Sequence, residues 1–179
     1  MLYIILTRNE ADLVISTING QKYAVRNVID KQDAANLLAT LEKNILNFSN
    51  YLYKKKDSDE VKTHKKYIEL LHNRCKNVQL SEGDTNSSYT TYTINKGEKI
   101  VFCLRSKATG KLHDINLLMF VTIHEMAHIA CPEQNHTPLF VDIFKFLLHQ
   151  AINIKLYIYQ DYKIQETEYC GLILDQTPI

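Results

Sequence analysis

Residues 117–131 read LLMFVTIHEMAHIAC, a run whose apolar side chains would point in every direction around a helix. A helix that is apolar on all sides is buried inside its domain. Asp114 precedes the run at a position suited to an N-cap, and Pro132 follows it directly, which favours an end there. The run therefore predicts the central buried helix of the domain, and its second half carries the segment HEMAH at residues 124–128.

The two histidines of HEMAH have the spacing of a metal-binding pair. On a helix, His124 and His128 project from one face, about 40° apart around the axis and roughly 6 Å apart along it, so one small cation can contact both. A catalytic zinc takes three protein ligands and a water, so a third ligand is needed. His136 is the favoured candidate, because the break at Pro132 lets the chain return to the helix face. The carboxylate alternatives are Glu133, Glu166 and Glu168.

The glutamate of the H-E-x-x-H pattern predicts a hydrolytic role. Glu125 is placed to accept a proton from a water and to return it to the leaving amine, which is base and acid work by one carboxylate. The pattern predicts one Zn²⁺ ion, with nickel or cobalt as alternatives because imidazole binds several metals. The predicted function is zinc-dependent hydrolysis of peptide bonds in a protein or peptide substrate. The alternative is a catalytically silent, zinc-stabilised protein-binding module.

The N-terminal half predicts a hairpin and two packing helices. Strand-like residues 14–18 and 23–25 flank Asn19-Gly20, a strong signal for a tight hairpin turn. Apolar residues at steps of three and four then predict a helix from roughly residue 31 to residue 53, and a second helix at about 60–74.

A second hairpin is predicted ahead of the buried helix. Residues 81–88, SEGDTNSS, are turn-formers and predict a loop, whereas residues 89–94 and 99–104 are β-branched and aromatic and are joined by residues 95–98. An edge strand here could accept a peptide substrate as an added strand. The alternative is that the N-terminal part of the chain covers this edge.

The segment after HEMAH predicts where the third histidine lies. Thr137-Pro138 fits an N-cap and the first position of another amphipathic helix, so His136 is expected in the loop just before that helix. The pattern of the last 25 residues does not assign a helix or a strand to them. The candidate oxyanion donors are Tyr162, Tyr169 and His113, although packing is the default role of a tyrosine.

Composition limits the other functional classes. A net charge of +1 does not support nucleic-acid association, and the apolar start MLYIIL is too short for a membrane span. The four cysteines lack metal or redox spacing and are expected to be reduced, mostly buried thiols. A glycan on the sequon at Asn135 would sit beside His136, which is hard to reconcile with secretion. We therefore expect an intracellular protein, cytoplasmic or nuclear.

The segments HEMAH and NHTPLF, the latter at residues 135–140, resemble the zincin metallopeptidases of the SprT-like and WLM group, most of all WLM-like proteins of large DNA viruses and protists. In that group a short loop separates H-E-x-x-H from a third histidine, which is followed by a small residue and an aromatic. The match covers residues 113–150. The resemblance implies His124, His128 and His136 as ligands of one Zn²⁺ ion and Glu125 as the catalytic base.

The resemblance also implies the fold. We expect an α+β, zincin-like minimal metallopeptidase domain, in which a small antiparallel sheet packs on a buried HExxH helix with further helices. The whole chain, residues 1–179, is predicted to form this single domain. Residues 1–80 would supply the N-terminal hairpin and helices, and residues 85–155 the catalytic core.

Overall fold

The computed structural model describes residues 11–84 and 90–179, so the apolar start MLYIIL and the part of the predicted loop and hairpin at residues 85–89 lie outside the described residues. In these two ranges the chain forms an α+β fold of seven strands and four α-helices. In chain order they are β1 (Ala11–Ile15), β2 (Lys22–Arg26), α1 (Lys31–Lys55), α2 (Lys65–Cys75), β3 (Gln79–Glu82), β4 (Tyr92–Ile94), β5 (Lys99–Phe102), α3 (Ile115–Ala130), α4 (Pro138–Asn153), β6 (Thr167–Tyr169) and β7 (Leu172–Leu174).

The main sheet is mixed, so the expected antiparallel sheet is wrong. Its five strands lie in the order β1-β2-β3-β5-β4. The outer pairs β1–β2 and β4–β5 are antiparallel hairpins, whereas β3 pairs parallel with both β2 and β5. The parallel pairing follows from the connection between β2 and β3, because α1 and α2 form a long crossover that returns the chain in the same direction.

The central strand β3 occupies part of the segment predicted to be a loop. Ser81 and Glu82 belong to β3, where they pair with Val101 and Phe102 of β5. Both are buried or half-buried in the sheet, although SEGD has the composition of a turn. A strand of four residues with three polar side chains carries no alternation from which it can be recognised, so tertiary pairing decides its conformation.

The first hairpin exists, but its turn is wider than Asn19-Gly20 alone. Ile15 pairs with Lys22, so six residues connect β1 to β2 and the predicted strand residues 16–18 lie in the turn. The physical reason is a contact with α1: Asn36 Oδ1 accepts hydrogen bonds from Ser16 Oγ at 2.9 Å and from the Thr17 backbone N–H at 2.9 Å. These hydrogen bonds keep the residues after Ile15 from continuing the β1–β2 strand pairing.

The helix α3 lies at the centre of the core, as predicted. Asp114 caps its first turn by accepting a hydrogen bond from the Asn116 backbone N–H at 2.8 Å, and the helix ends at Ala130, two residues before Pro132. It packs against α1, α2 and α4, and most of its residues are buried. Within residues 11–84 and 90–179, no helix is both long and apolar enough to cross a bilayer.

The expectation of four reduced cysteines is wrong for two of them. Cys103, just after β5, and Cys170, between β6 and β7, form a disulfide, while Cys75 and Cys131 are buried free thiols. The partners are 67 residues apart in sequence, so no local spacing pattern could pair them. The pair is brought together by the C-terminal hairpin β6–β7, which the sequence pattern did not predict. The disulfide also removes reduced thiols as an argument for an intracellular location, which stays a prediction from the Asn135 sequon.

One buried ionic group joins the sheet to the start of α1, and we call Arg105, Glu82 and Asp30 the arginine cluster. The side chains of Arg105 and Glu82 are only 4% and 1% exposed. Arg105 Nε donates to Glu82 Oε1 at 2.7 Å and its Nη1 donates to Asp30 Oδ2 at 2.7 Å. Glu82 Oε2 also accepts from the Arg26 backbone N–H at 2.8 Å. The cluster therefore links the ends of β2, β3 and β5 to α1.

Candidate functional site

The centre of the candidate site is built on the second half of α3. His124 and His128 stand one turn apart on this helix, and their Nε2 atoms lie 3.2 Å from each other. Both side chains are half-buried, because the rest of the helix is enclosed by the core. The helical spacing that the sequence predicted thus brings the two imidazoles to a common point.

His136 reaches the same point from the segment that follows α3. The chain leaves the helix at Cys131 in an extended conformation and reverses at Asn135, whose φ of 64° lies in the left-handed region that asparagine tolerates. Thr137 Oγ1 then accepts a hydrogen bond from the Phe140 backbone N–H at 3.3 Å and starts α4. His136 Nε2 comes to 3.1 Å from His128 Nε2 and 3.2 Å from His124 Nε2.

The carboxylate alternatives for a third ligand do not join this group. Among the described residues, the potential ligand atoms that come together here belong to His124, His128 and His136 alone, which we call the histidine cluster. Glu133 is exposed in the loop, and so is Glu166. Glu168 lies on β6 and accepts a hydrogen bond from the Gly171 backbone N–H at 2.7 Å.

The histidine cluster cannot satisfy itself by hydrogen bonding. The Nε2 atom of a neutral imidazole is either a donor or an acceptor, so among three mutually close Nε2 atoms at least one pair has the same role. A divalent cation resolves this, because all three lone pairs then point at it. Three nitrogens bound tetrahedrally to zinc at about 2.0–2.1 Å lie about 3.3 to 3.4 Å apart. The observed separations of 3.1–3.2 Å fit this requirement.

Burial keeps two of these imidazoles in the form that binds metals. Burial, and then the proximity of His128 and His136, lowers the pKa of His124 to about 3. Burial, followed by His136 and the Lys96 ammonium, lowers the pKa of His128 to about 4. Both rings are therefore neutral at pH 7, and a neutral imidazole has a lone pair to offer.

Phe140 of α4 packs beneath all three imidazoles. Its ring stacks on His128, with centroids 4.2 Å apart, and meets His124 and His136 at 5.0 and 4.8 Å. Phe144, one turn later, meets His124 edge-on at 5.1 Å. These contacts fix the orientation of the rings. The sequence analysis included Phe140 as the aromatic of NHTPLF but predicted no contact with the histidines, although its spacing of four from His136 is the signal that locates it.

Glu125 lies beside the histidine cluster but does not join it. The residue is 4% exposed, and its Oε2 accepts a hydrogen bond from Thr93 Oγ1 at 2.7 Å. Burial raises the pKa of this carboxyl to about 7, against the opposing effect of the Thr93 hydrogen bond. The group can therefore exchange a proton near neutral pH. Thr93 was missed by the sequence analysis, because one threonine in the alternating strand YTTYTI gives no signal of its partner.

An open cleft of about 490 Å³ leads to these residues. Its walls are residues 90–93, Asn95 and Lys96 on one side and Gln134 and Asn135 on the other. The strand β4 within the first wall is an edge strand of the sheet, and the hairpin β1–β2 lies at the opposite edge. Among the described residues, the N-terminal part therefore does not pair with β4, which was the alternative considered from the sequence.

The three candidate oxyanion donors do not line the cleft. The Tyr169 hydroxyl is hydrogen-bonded to Thr91 Oγ1 and donates to the Cys103 carbonyl at 3.1 Å, so it braces the cleft wall from behind. Tyr162 is fully buried against Phe120. His113 Nε2 accepts from the Cys170 backbone N–H at 3.4 Å, and burial lowers its pKa. Packing accounts for these side chains.

A comparison with solved structures identifies a shared fold. The fold is similar to the crystal structure of Wss1 from Saccharomyces cerevisiae, with a TM-score of 0.53 at 20% identity over 74% of this chain and 88% of that chain. A crystal structure of a Wss1 mutant gives 0.52 at 19% identity, over 75% and 92%. At such identities the likeness shows the fold alone, and it is consistent with the WLM-like fold expected from the motif.

The sequence relatives are viral. No family profile matches the chain. The uncharacterized protein 136R of Invertebrate iridescent virus 6 is 39% identical over 102 residues, which are 53% of this chain and 54% of that protein. The uncharacterized protein R325 of Acanthamoeba polyphaga mimivirus is 42% identical over 170 residues, covering 95% of this chain and 85% of that protein. The chain therefore belongs to the same family as the mimivirus protein R325.

Proposed function

We propose that this protein is a zinc-dependent peptidase, with His124, His128 and His136 as metal ligands and Glu125 as general base. The observation that carries the proposal is the convergence of three imidazole Nε2 atoms, 3.1–3.2 Å apart, beside a buried carboxylate at an open cleft. Three ligands leave a coordination position for water or substrate, which distinguishes catalytic from structural zinc sites. The fold shared with Wss1 supports a peptidase.

Zinc bound here would polarise the scissile carbonyl and make the attacking water more acidic. The chain supplies the proton transfers: the Glu125 carboxylate accepts a proton from that water and then donates it to the leaving amine. A carboxyl with a pKa of about 7 is suited to both steps near neutral pH. Thr93 Oγ1, at 2.7 Å from Glu125 Oε2, orients the carboxylate during this exchange.

The substrate is a protein or peptide in an extended conformation. The edge strand β4 lines the cleft through Tyr92 and Thr93, and the histidine cluster lines the same cleft, so a peptide can be held beside β4 by main-chain hydrogen bonds. Thr93 lies on the same strand and contacts Glu125. A substrate paired with β4 would therefore present its backbone carbonyls near both the metal position and the base.

The experiment is cleavage of an unfolded protein by wild type and E125Q, with and without a chelator, together with the metal content of each preparation. We expect wild type to cleave, the chelator to stop cleavage, and E125Q to retain one zinc without cleaving. The metal analysis also distinguishes zinc from nickel or cobalt. Zinc binding without any cleavage by wild type contradicts the proposal and indicates a zinc-stabilised protein-binding module.

A further inference from the structure

The C-terminal end of α3 is covered by two cationic side chains from other elements. Arg74, at the end of α2, donates from Nη1 to the Ile129 carbonyl at 2.6 Å. Lys96, in the turn between β4 and β5, donates from Nζ to the carbonyls of His128 at 3.4 Å and Cys131 at 3.0 Å. The last carbonyls of a helix lack partners within the helix and carry partial negative charge, so both cations satisfy them.

Lys96 differs from Arg74 in how far along the chain it reaches. Its ammonium also donates to the Glu133 carbonyl at 2.5 Å, three residues before His136. The three donors of the ammonium are thus directed at carbonyls on both sides of the helix end. One of these carbonyls belongs to His128, and the other two belong to the 131–136 loop that carries His136. Lys96 therefore links the backbone of one member of the histidine cluster to the segment that carries another.

The backbone around Lys96 is constrained to hold this position. Asn95 and Lys96 have φ values of 49° and 53°, in the left-handed region that a lysine rarely adopts. Gly97 follows with φ of 115°, and a Cβ there would lie 3.1 Å from the Ile129 side chain and 3.2 Å from the Arg74 carbonyl. The turn thus fits closely against the end of α3. Unfavourable backbone geometry of this kind persists where the surroundings enforce it, and it often accompanies functional sites.

We propose that Lys96 is a positioning residue of the metal centre. It ties the 131–136 loop to the end of α3, so that His136 already lies beside His124 and His128 when the ion arrives. This inference rests on the proposed function, because it assigns Lys96 a task toward the same metal. A site that is ordered before it binds the metal loses less conformational entropy on binding. Removing the hydrogen bonds of Lys96 should therefore lower metal affinity.

The competing explanation is that Lys96 only stabilises the end of α3. Arg74 provides the matched control, because it donates to a carbonyl of the same helix end and, among the described residues, forms no hydrogen bond with the 131–136 loop. Both K96M and R74M remove one cation from that end. A simple capping role predicts similar consequences for the two variants, whereas the positioning role predicts that only K96M affects metal binding.

The test measures zinc affinity by competition with a chromogenic chelator for wild type, K96M, R74M and K96R, with H136A as the reference for a lost ligand. Visible spectra of the Co²⁺-loaded proteins report the ligand set, and hydrogen–deuterium exchange of metal-free protein reports the order of the 131–136 loop. Loss of a residue that orients metal ligands typically weakens affinity about 10- to 100-fold. We expect K96M to lose zinc affinity by that factor and to show faster exchange in the 131–136 loop. R74M should keep wild-type zinc affinity, and K96R should recover a substantial part of it.

The outcomes are separable. Wild-type zinc affinity and loop exchange in K96M overturn the inference while leaving the metal centre intact, and so does an equal loss of affinity in R74M. A wild-type protein that binds neither Zn²⁺ nor Co²⁺ overturns the proposed function and the inference with it. If K96M does not fold, K96Q, whose amide keeps the side chain polar, provides the same test.

Discussion

Two polar clusters among the described residues are organised in opposite ways, one buried at the sheet and one at an open cleft. In the arginine cluster a guanidinium meets two carboxylates, and both contacts are 2.7 Å. In the histidine cluster three groups of the same kind face one another at 3.1–3.2 Å. The first cluster has its opposite charges within the chain. The second presents imidazole nitrogens of one kind that converge on a point, and a bound cation would accept their lone pairs.

This difference separates a structural cluster from a ligand-binding one. A buried charge is tolerated when partners of opposite charge and hydrogen bonds compensate for its desolvation. The arginine cluster meets that condition and joins β2, β3 and β5 to α1. The histidine cluster has no such charge pair; a bound ion would satisfy its converging nitrogen lone pairs together, and the cluster opens to a cleft. Changes to the first should therefore alter stability, and changes at the second should alter metal binding and catalysis.

The largest effect is expected for the base beside the histidine cluster. E125Q removes the proton acceptor while keeping the shape of the side chain, and loss of a general base typically costs about 10²- to 10⁴-fold in rate. Measured kcat for peptide cleavage should fall by that factor with the zinc content unchanged. E166Q, a change at an exposed glutamate, serves as the control and should leave both unchanged. Full activity in E125Q would contradict the assigned role.

The arginine cluster should show the opposite behaviour. R105M leaves the buried Glu82 carboxylate without its charged partner, and breaking a buried ion pair in this way costs about 3–5 kcal/mol of unfolding free energy. Denaturant titration of the metal-free protein measures this loss. Zinc affinity of the folded variant should equal that of wild type. A loss of stability below about 1 kcal/mol, the range of exposed pairs, would show that the cluster is not structural.

The disulfide is expected to act on stability in the same way. Cys103 and Cys170 enclose a loop with a sequence separation of 67 residues, and closing a loop of this length stabilises a fold by about 4 kcal/mol in the chain-entropy model. The double variant C103S/C170S should lose about that much unfolding free energy by denaturant titration. Wild type treated with a dithiol reductant should behave likewise. A double variant as stable as oxidised wild type would argue against the bond.

The smallest effect is a pH dependence from the arginine cluster. The hydrogen bond from Arg105, opposed by partial burial, lowers the pKa of Asp30 below its usual value. The unfolded chain binds this proton more readily than the folded one. The contribution of the Asp30–Arg105 pair to the unfolding free energy is therefore complete above the unfolded pKa of about 3.9, and it is lost as pH falls through the lowered folded pKa. The stability difference between wild type and D30N should therefore shrink below about pH 4. A constant difference from pH 7 to pH 2 would contradict the pairing.

The sequence predicted the elements whose signals are local. The caps at Asp114 and Thr137 mark the starts of α3 and α4, and the i, i+4 histidines point to one place because a helix has a fixed geometry. The same is true of α1, whose apolar stripe extends over many turns. Such features depend on neighbours a few residues away, so the sequence alone is sufficient to predict them.

The features that the sequence did not predict depend on distant partners. The strand β3 is recognisable only through its pairing with β2 and β5, and Cys103 meets Cys170 only after the C-terminal hairpin has packed. The partners of Glu125 and of the 131–136 loop, Thr93 and Lys96, likewise come from the β4–β5 hairpin, 32 or more residues earlier in the chain. No periodicity encodes such contacts.

The most direct test of the metal centre is X-ray diffraction from crystals grown with zinc, with data collected on both sides of the zinc absorption edge. We predict one anomalous peak at about 2.0–2.1 Å from the Nε2 atoms of His124, His128 and His136. Zinc in the crystals with no peak among these three nitrogens, or with a peak held by other side chains, would contradict the central claim.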